Sequence, residues 1–417
     1  MSLLLKVGRI IDPVNGVDAV GDLLVREGRV AAIGPDLRPD GADLVPVKGL
    51  VVCPGLMDIH VHFRQPGFEH KETIQSGSRA AVMGGFVAVA TEPNTRPAID
   101  SPQHLAQLLA VARTDSLVAL HPKACLTKAQ RGEQVVAVAA CKDAGAAALS
   151  DDGEPVLDAG IMRQALVEAK AAGLVVTPHC EGSPRLSGPL TMEPELVRRD
   201  IGLAAETGAR IHFSHISTAA AVREIYAAQQ AGLPITAEVT PHHLLLSADM
   251  VGAADANAKM IPPLRKPGDV EVLRKALAAN VISVIASDHA PHAAAEKAVP
   301  YDEAPYGVIG LETTVGVVLS RLVRQHLLSL HDAIRRLSAG PARALGLPGG
   351  SLAVGEPANL TVLDLDKEWV VDPARFASLS RNCPFAGWKL RGRPEMTIID
   401  GRVTMRGGEI IWTTWGF

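Results

Sequence analysis

Eight short apolar runs, separated by Ala-rich amphipathic stretches over about 290 residues, constrain this chain more than any other feature. The runs cover residues 56–60, 86–91, 117–121, 146–150, 174–179, 210–215, 234–240 and 282–287. Helical stretches such as 159–172 and 218–231 lie between them. Eight strands alternating with helices predict an α/β protein built on a (β/α)8 barrel. An open doubly wound sheet shares the pattern, but no Gly-rich nucleotide-binding turn follows any strand.

Both ends have a different texture. Residues 21–34 read as a hairpin around Glu27-Gly28, and Asn15-Gly16 marks another turn. Residues 359–365 and 396–405 alternate polar with apolar. These segments predict a small β-sandwich domain built from both termini, 1–54 with 345–417, around a catalytic barrel at 55–344.

Composition removes several function classes. The chain has 41 basic and 45 acidic residues and only 3% aromatics, which suits neither a nucleic-acid footprint nor a membrane surface. Its five cysteines show no CxxC spacing, and the N-terminus lacks a secretory apolar region. No apolar run reaches membrane-spanning length. A reduced, cytoplasmic enzyme is the expectation.

Chemistry enters at Asp58-Ile59-His60-Val61-His62-Phe63-Arg64. Strand alternation points His60, His62 and Arg64 the same way. Two imidazoles on one face can grip a transition-metal ion, and Arg64 can clamp a carboxylate. Barrel active sites sit at the C-terminal ends of the strands. There, Asp151-Asp152 end the fourth run, His179 the fifth, His215 the sixth and Asp288 the eighth. Random scatter would put about half of such sets at the other end. Four histidines and two aspartates exceed what one tetrahedral Zn²⁺ takes. They suit two metal ions sharing a carboxylate and a bridging hydroxide, with a water pKa lowered toward ~7. Asp288 is the natural proton acceptor from that water and donor to a leaving nitrogen. Hydrolysis at a carbonyl carbon follows.

Nine motifs carry a resemblance that spans the barrel: H-V-H-F-R-Q-P-G (60–67), K-E-T-I-Q-S-G (71–77), E-P-N-T (92–95), S-D-D-G (150–153), S-H-I-S-T (214–218), T-P-H-H-L (240–244), P-P-L-R (262–265), S-D-H-A-P-H (287–292) and G-L-E-T (310–313). As a set, in this order, they resemble the bacterial type I dihydroorotases of the amidohydrolase superfamily. The resemblance implies that His60, His62 and Asp288 hold one metal, His179 and His215 the other, and that Asp152 rather than Asp151 bridges. It implies that Arg64, Asn94 and His292 bind the substrate carboxylate, and that the Pro305-Tyr306-Gly307 turn packs on the ring. The implied reaction is reversible cyclisation of N-carbamoyl-L-aspartate to L-dihydroorotate in pyrimidine biosynthesis. Zn²⁺, two per subunit, is the default cofactor, although Mn²⁺ or Co²⁺ fit. A homodimer is the base-rate assembly, and aspartate carbamoyltransferase is a candidate partner.

Three positions depart from the family's pattern. Ile261 stands where a polar residue is usual, Val87 where Thr is, and Glu92 where Met is. Glu92, so close to Asn94, is expected to turn away or to pair with a base such as Arg96.

The rivals are another cyclic amidohydrolase (hydantoinase, dihydropyrimidinase or allantoinase) and a non-catalytic subunit of a carbamoyltransferase complex. The former usually bridge their metals with a carboxylated lysine on strand four, where this chain has none. The latter lack metal ligands, which this chain retains. His242 and His243 read as neighbours of the site rather than ligands, His212 as core or helix-facing, and Cys180 as facing away from the metals. The Ala-rich segment 293–301 reads as a mobile lid.

Overall fold

Alternating apolar residues at both ends of the chain give strands that find one another across the sequence. The computed structural model describes residues 2–182, 192–251 and 255–411. Strands Ser2–Asp12, Val17–Arg26, Arg29–Gly34, Asp43–Pro46 and Val51–Pro54 join Leu360–Val370, Lys389–Ile399, Arg402–Arg406 and Glu409–Ile410 in one nine-stranded sheet. The seam is antiparallel, with Leu360 opposite Pro54 and Val362 opposite Val52. Leu3, Leu23, Val25, Val52, Leu360, Met396 and Ile398 form its own apolar cluster, separate from the barrel core. The alternating run 396–405 is a hairpin rather than one strand, turning at Asp400-Gly401. That turn packs on the one at Glu27-Gly28: a Cβ on Gly401 would lie 2.9 Å from the Gly28 Cα, and both glycines have φ of 74°. Only glycine fits so close a backbone approach at positive φ.

Gly55 separates this sheet from the first barrel strand. Leu56–Val61, Phe86–Thr91, Ala119–Ala124 and Ala148–Leu149 pair in parallel, as do Ile211–Phe213, Ile235–Val239 and Val284–Ile285. Val176 bridges Leu149 to Ile211, and Val61 bridges to His289, which closes the ring. The fifth run, expected as a strand over 174–179, is reduced to that bridge. Pro178 has no N–H to continue the ladder. The third strand begins at Ala119 because the Ser116 hydroxyl bonds both N and O of Val118, holding the preceding residues in a turn.

The helices match their sequence signals. Ala159–Ala172 starts where Asp158 accepts from Gly160 N and Ile161 N, and it stops at Gly173 with φ of 69°. Ala219–Gln230 is capped by Thr218. Each buries one stripe of small and branched residues against the strands. Among the described residues no helix is long and apolar enough to cross a membrane.

The aspartate that opens D-I-H-V-H is a staple. Asp58 is fully buried and accepts from Ser287 N at 3.0 Å and His60 N at 3.1 Å. It ties the first strand to the end of the eighth, through the backbone of His60 on one and of Ser287, the neighbour of Asp288, on the other. Burial pushes its pKa up to about 7, against the pull of those hydrogen bonds.

Candidate active site

All six residues expected as metal ligands are buried, and their polar atoms converge at the C-terminal mouth of the barrel. His60, His62 and Asp288 form one convergent set of donors, and His60, Asp152 and His215 another. Asp152 Oδ1 lies 3.3 Å from His60 Nε2, 3.3 Å from His179 Nδ1 and 3.2 Å from His215 Nε2. Its Oδ2 lies 3.5 Å from His62 Nε2. Asp288 Oδ1 lies 3.2 Å from His62 Nε2 and 3.7 Å from His60 Nε2. Asp151 turns elsewhere, accepting from Leu126 N, Thr127 N and the Thr127 hydroxyl.

These residues fit divalent cations. Donors about 2.0–2.2 Å from one tetrahedral ion are themselves about 3.3–3.6 Å apart, close to the separations here. His60 Nε2 is buried without a hydrogen bond although it faces carboxylates. An unpaired buried nitrogen aimed into such a cluster is a lone pair set for a cation. Two of the donors sit on left-handed backbone, His215 with φ of 33° and Asp288 with φ of 47°, as does Arg64 at 60°. Such conformations cost about 1–3 kcal/mol each in non-glycine residues and cluster at functional sites.

Electrostatics bind the cluster together. Burial alone would lower the His60 pKa, but Glu92, Glu238 and Asp152 outweigh it and hold it well above the ordinary value. Burial would raise Asp152, yet His60, His179 and His215 hold it well below the usual carboxylate range. Asp288 is likewise drawn down to about 2 against its burial, by the His62 hydrogen bond and by His60.

Several partners were not legible in the sequence. Glu238 accepts from His60 Nδ1 at 2.5 Å and from His212 Nε2 at 3.1 Å. A carboxylate behind a ligating imidazole fixes its tautomer and orientation. The available signal was a glutamate inside the apolar run I-T-A-E-V. His212 therefore points into the barrel beneath the donors, not toward a helix. Asn94 uses its Oδ1 on His62 Nδ1 at 2.9 Å, so it orients a donor as well as facing the cleft. Asn382, from the C-terminal part of the chain, holds Ala290 O, Gly307 O and His292 N.

Arg64 is half-buried, and its Nε donates to Pro291 O. His292 lies between Tyr306 O, 2.8 Å from its Nε2, and Lys71 Nζ, 3.4 Å from its Nδ1. Burial, Arg64 and Lys71 push its pKa down to about 2, so the ring is neutral. Gly307, with φ of 139°, leaves no room for a Cβ, which would lie 2.7 Å from Ala290 O. Pro305 O accepts from Lys297, and Lys259 Nζ sits 4.6 Å from the Tyr306 ring centre. The 293–301 segment carries a helical turn, Ala294–Lys297, and the Lys297 ammonium also donates to Ala256 O and Lys259 O. These contacts lie in the segment expected to be a mobile lid.

Glu92 pairs with a different base from the one expected. Its Oε1 accepts from Lys123, and both side chains are fully buried, while Arg96 lies over the Phe68 ring. Cys180 faces Asp200, away from the donors. His243 is held by the Thr240 hydroxyl and Pro262 O, with His242 packed against it.

Comparison with known proteins gives the family and the fold. Residues 51–404 match the model of the amidohydrolase family. The chain is 43% identical to a dihydroorotase of Pelotomaculum thermopropionicum, covering 97% of this chain and 99% of that one. It is 44% identical to a dihydroorotase of an Anaeromyxobacter species, covering 98% of each. Among solved structures, an L-hydantoinase (dihydropyrimidinase) from Arthrobacter aurescens superposes with a TM-score of 0.89 at 25% identity, over 99% of this chain and 98% of that one. A dihydropyrimidinase from Brevibacillus agri gives 0.88 at 22% identity, over 99% and 97% of the two chains, a likeness of fold.

Proposed function

The chain belongs to the amidohydrolase family and, within it, to the dihydroorotases, and from that premise we propose how its residues share the interconversion of N-carbamoyl-L-aspartate and L-dihydroorotate. We assign His60, His62 and Asp288 to one divalent cation, His179 and His215 to a second, and Asp152 to both. Zinc is the ion that such a His and Asp set favours. The observation that carries this reading is Asp152, whose carboxylate lies within 3.5 Å of all four imidazoles. Bound there, the ions would supply Lewis acidity at the reacting carbonyl and at the attacking water.

The chain's own groups do the rest. Asp288, an acceptor beside His62, takes the proton of the attacking water. It returns that proton to the ring nitrogen as the C–N bond breaks. In the cyclising direction the same group removes the proton from that nitrogen. Arg64, its plane fixed through Nε, offers a planar fork to the substrate carboxylate. Asn94 and neutral His292 stand beside it, and Pro305-Tyr306-Gly307 wall the ring. Ile261 leaves no side-chain hydrogen bond at its position, so any polar contact there falls to backbone.

The test is ring opening of L-dihydroorotate beside hydantoin, dihydrouracil and allantoin. Turnover of dihydroorotate alone is expected. Turnover of an uncharged ring in its place would sink the assignment of Arg64. Arg64→Lys keeps the charge and loses the fork, so kcat/KM for dihydroorotate is expected to fall about 10–100-fold, mostly through KM. An unchanged KM would remove Arg64 from the carboxylate site.

A further inference from the structure

Glu92 has no part in the reaction above, yet it stands against the donors. It follows the strand Phe86–Thr91, and Lys123 lies in the neighbouring strand Ala119–Ala124. Thr91 is in register with Pro122, which brings Glu92 and Lys123 side by side. Both side chains are fully buried, and Nζ of Lys123 donates to Oε1 of Glu92. The same Oε1 lies 3.7 Å from His60 Nε2, the distance at which Asp288 Oδ1 also stands. Its other oxygen, Oε2, is buried without a partner. Glu92 is nevertheless in neither convergent set of donors, and the donor it approaches is His60.

Burying two opposite charges is costly, and an apolar pair of similar volume often serves stability as well or better. A pair kept in this place, with its carboxylate toward a ligand nitrogen, has an electrostatic consequence. At short range in a dry interior, a unit charge acts strongly on a divalent cation. The carboxylate draws the cation in, and the ammonium on the same oxygen limits that pull.

We propose that Glu92 is a positioning residue of the metal centre, strengthening cation binding at His60, and that Lys123 is the counter-charge that sets how strongly it does so. This rests on the assignment of His60 to a cation. It predicts opposite effects from the two partners, which a purely structural pair would not give.

The experiment is a Co²⁺ titration of chelator-stripped full-length protein, read by visible absorption and by bound-metal content, with thermal unfolding of each stripped variant in parallel. Glu92→Gln is expected to weaken Co²⁺ binding by about 10–100-fold, the effect of removing one negative charge a few ångströms from the cation. Lys123→Met is expected to tighten it, and the double variant to return close to the wild-type affinity. The number of absorption bands stays the same throughout, because Glu92 is not itself a ligand. Affinity moving the same way in both single variants, in step with unfolding temperature, would overturn the inference. So would unchanged affinity in both. Should Glu92→Gln fail to fold, the Lys123→Met and double variants decide alone. A His60→Ala control separates the two levels. If it binds Co²⁺ as wild type does, the metal assignment falls and the inference with it. If it loses Co²⁺ while Glu92→Gln does not, only the inference falls.

Discussion

Asp152→Ala is expected to leave a folded protein that has lost most of its bound divalent metal and all measurable dihydroorotate turnover. The carboxylate lies within 3.5 Å of His60, His62, His179 and His215. No single imidazole could replace it, because the four approach from three strand ends, His60 and His62 from the first and His179 and His215 from two others. Its removal takes from His179 and His215 the carboxylate beside them, while Asp288 still faces His60 and His62. Elemental analysis of dialysed protein and a ring-opening assay at saturating metal check this. Wild-type metal content in the variant would show that Asp152 is not shared between the ions.

The same substitution has a pH signature in the metal-free protein. Despite burial, His60, His179 and His215 hold Asp152 well below the ordinary carboxylate pKa. Its contribution to stability is therefore present above the unfolded value of about 3.9, and it is lost as pH falls through the folded value. His60, despite burial, is held well above the ordinary value by Glu92, Glu238 and Asp152. Its contribution is present below the unfolded value of about 6.5 and is lost as pH rises through the folded one. Metal-free wild type is thus expected to be most stable between about pH 4 and about pH 6.5. Asp152→Ala should flatten that maximum in thermal unfolding curves.

Asp288→Asn is expected to lower kcat by about 10²–10⁴-fold, the range for loss of a positioned general acid–base. Asparagine keeps the size and one acceptor oxygen of the side chain but cannot take up a proton. Asp288 stands 3.2 Å from His62 Nε2 at the end of the eighth strand, with φ of 47°. Asparagine tolerates that left-handed backbone better than most residues, so the fold should survive. The substrate carboxylate is left to Arg64, so KM measured at saturating metal is expected to stay within about threefold, because the lost interaction belongs to the transition state. A variant with unchanged kcat would move the proton transfer to another group.

The large features of this protein were legible locally. Period-two and helical spacing placed seven of the eight barrel runs on strands or short strand segments. Alternation put His60 and His62 on one face, whereas Arg64 lies past the strand end on left-handed backbone, where alternation no longer applies. The coincidence of Asp152, His179, His215 and Asp288 at strand ends located the mouth of the barrel. These follow from rules that act over a few residues, so one chain segment suffices to read them. The exception, the fifth run, failed on a local detail, the missing N–H of Pro178.

What lay beyond the sequence was the choice of partner. Glu238 behind His60, Asn94 on His62, Asn382 on the loop of His292 and Lys123 on Glu92 each join segments distant in the chain. For Glu92 the sequence suggested Arg96, four residues away, because nearness along the chain was the only measure at hand. Ring closure set Ala119–Ala124 against Phe86–Thr91 in one register and so put Lys123 there instead. Spacing along the chain determines which way a side chain points. Only the packing of neighbouring strands, where an unpaired buried charge is too costly to leave, decides which group it meets.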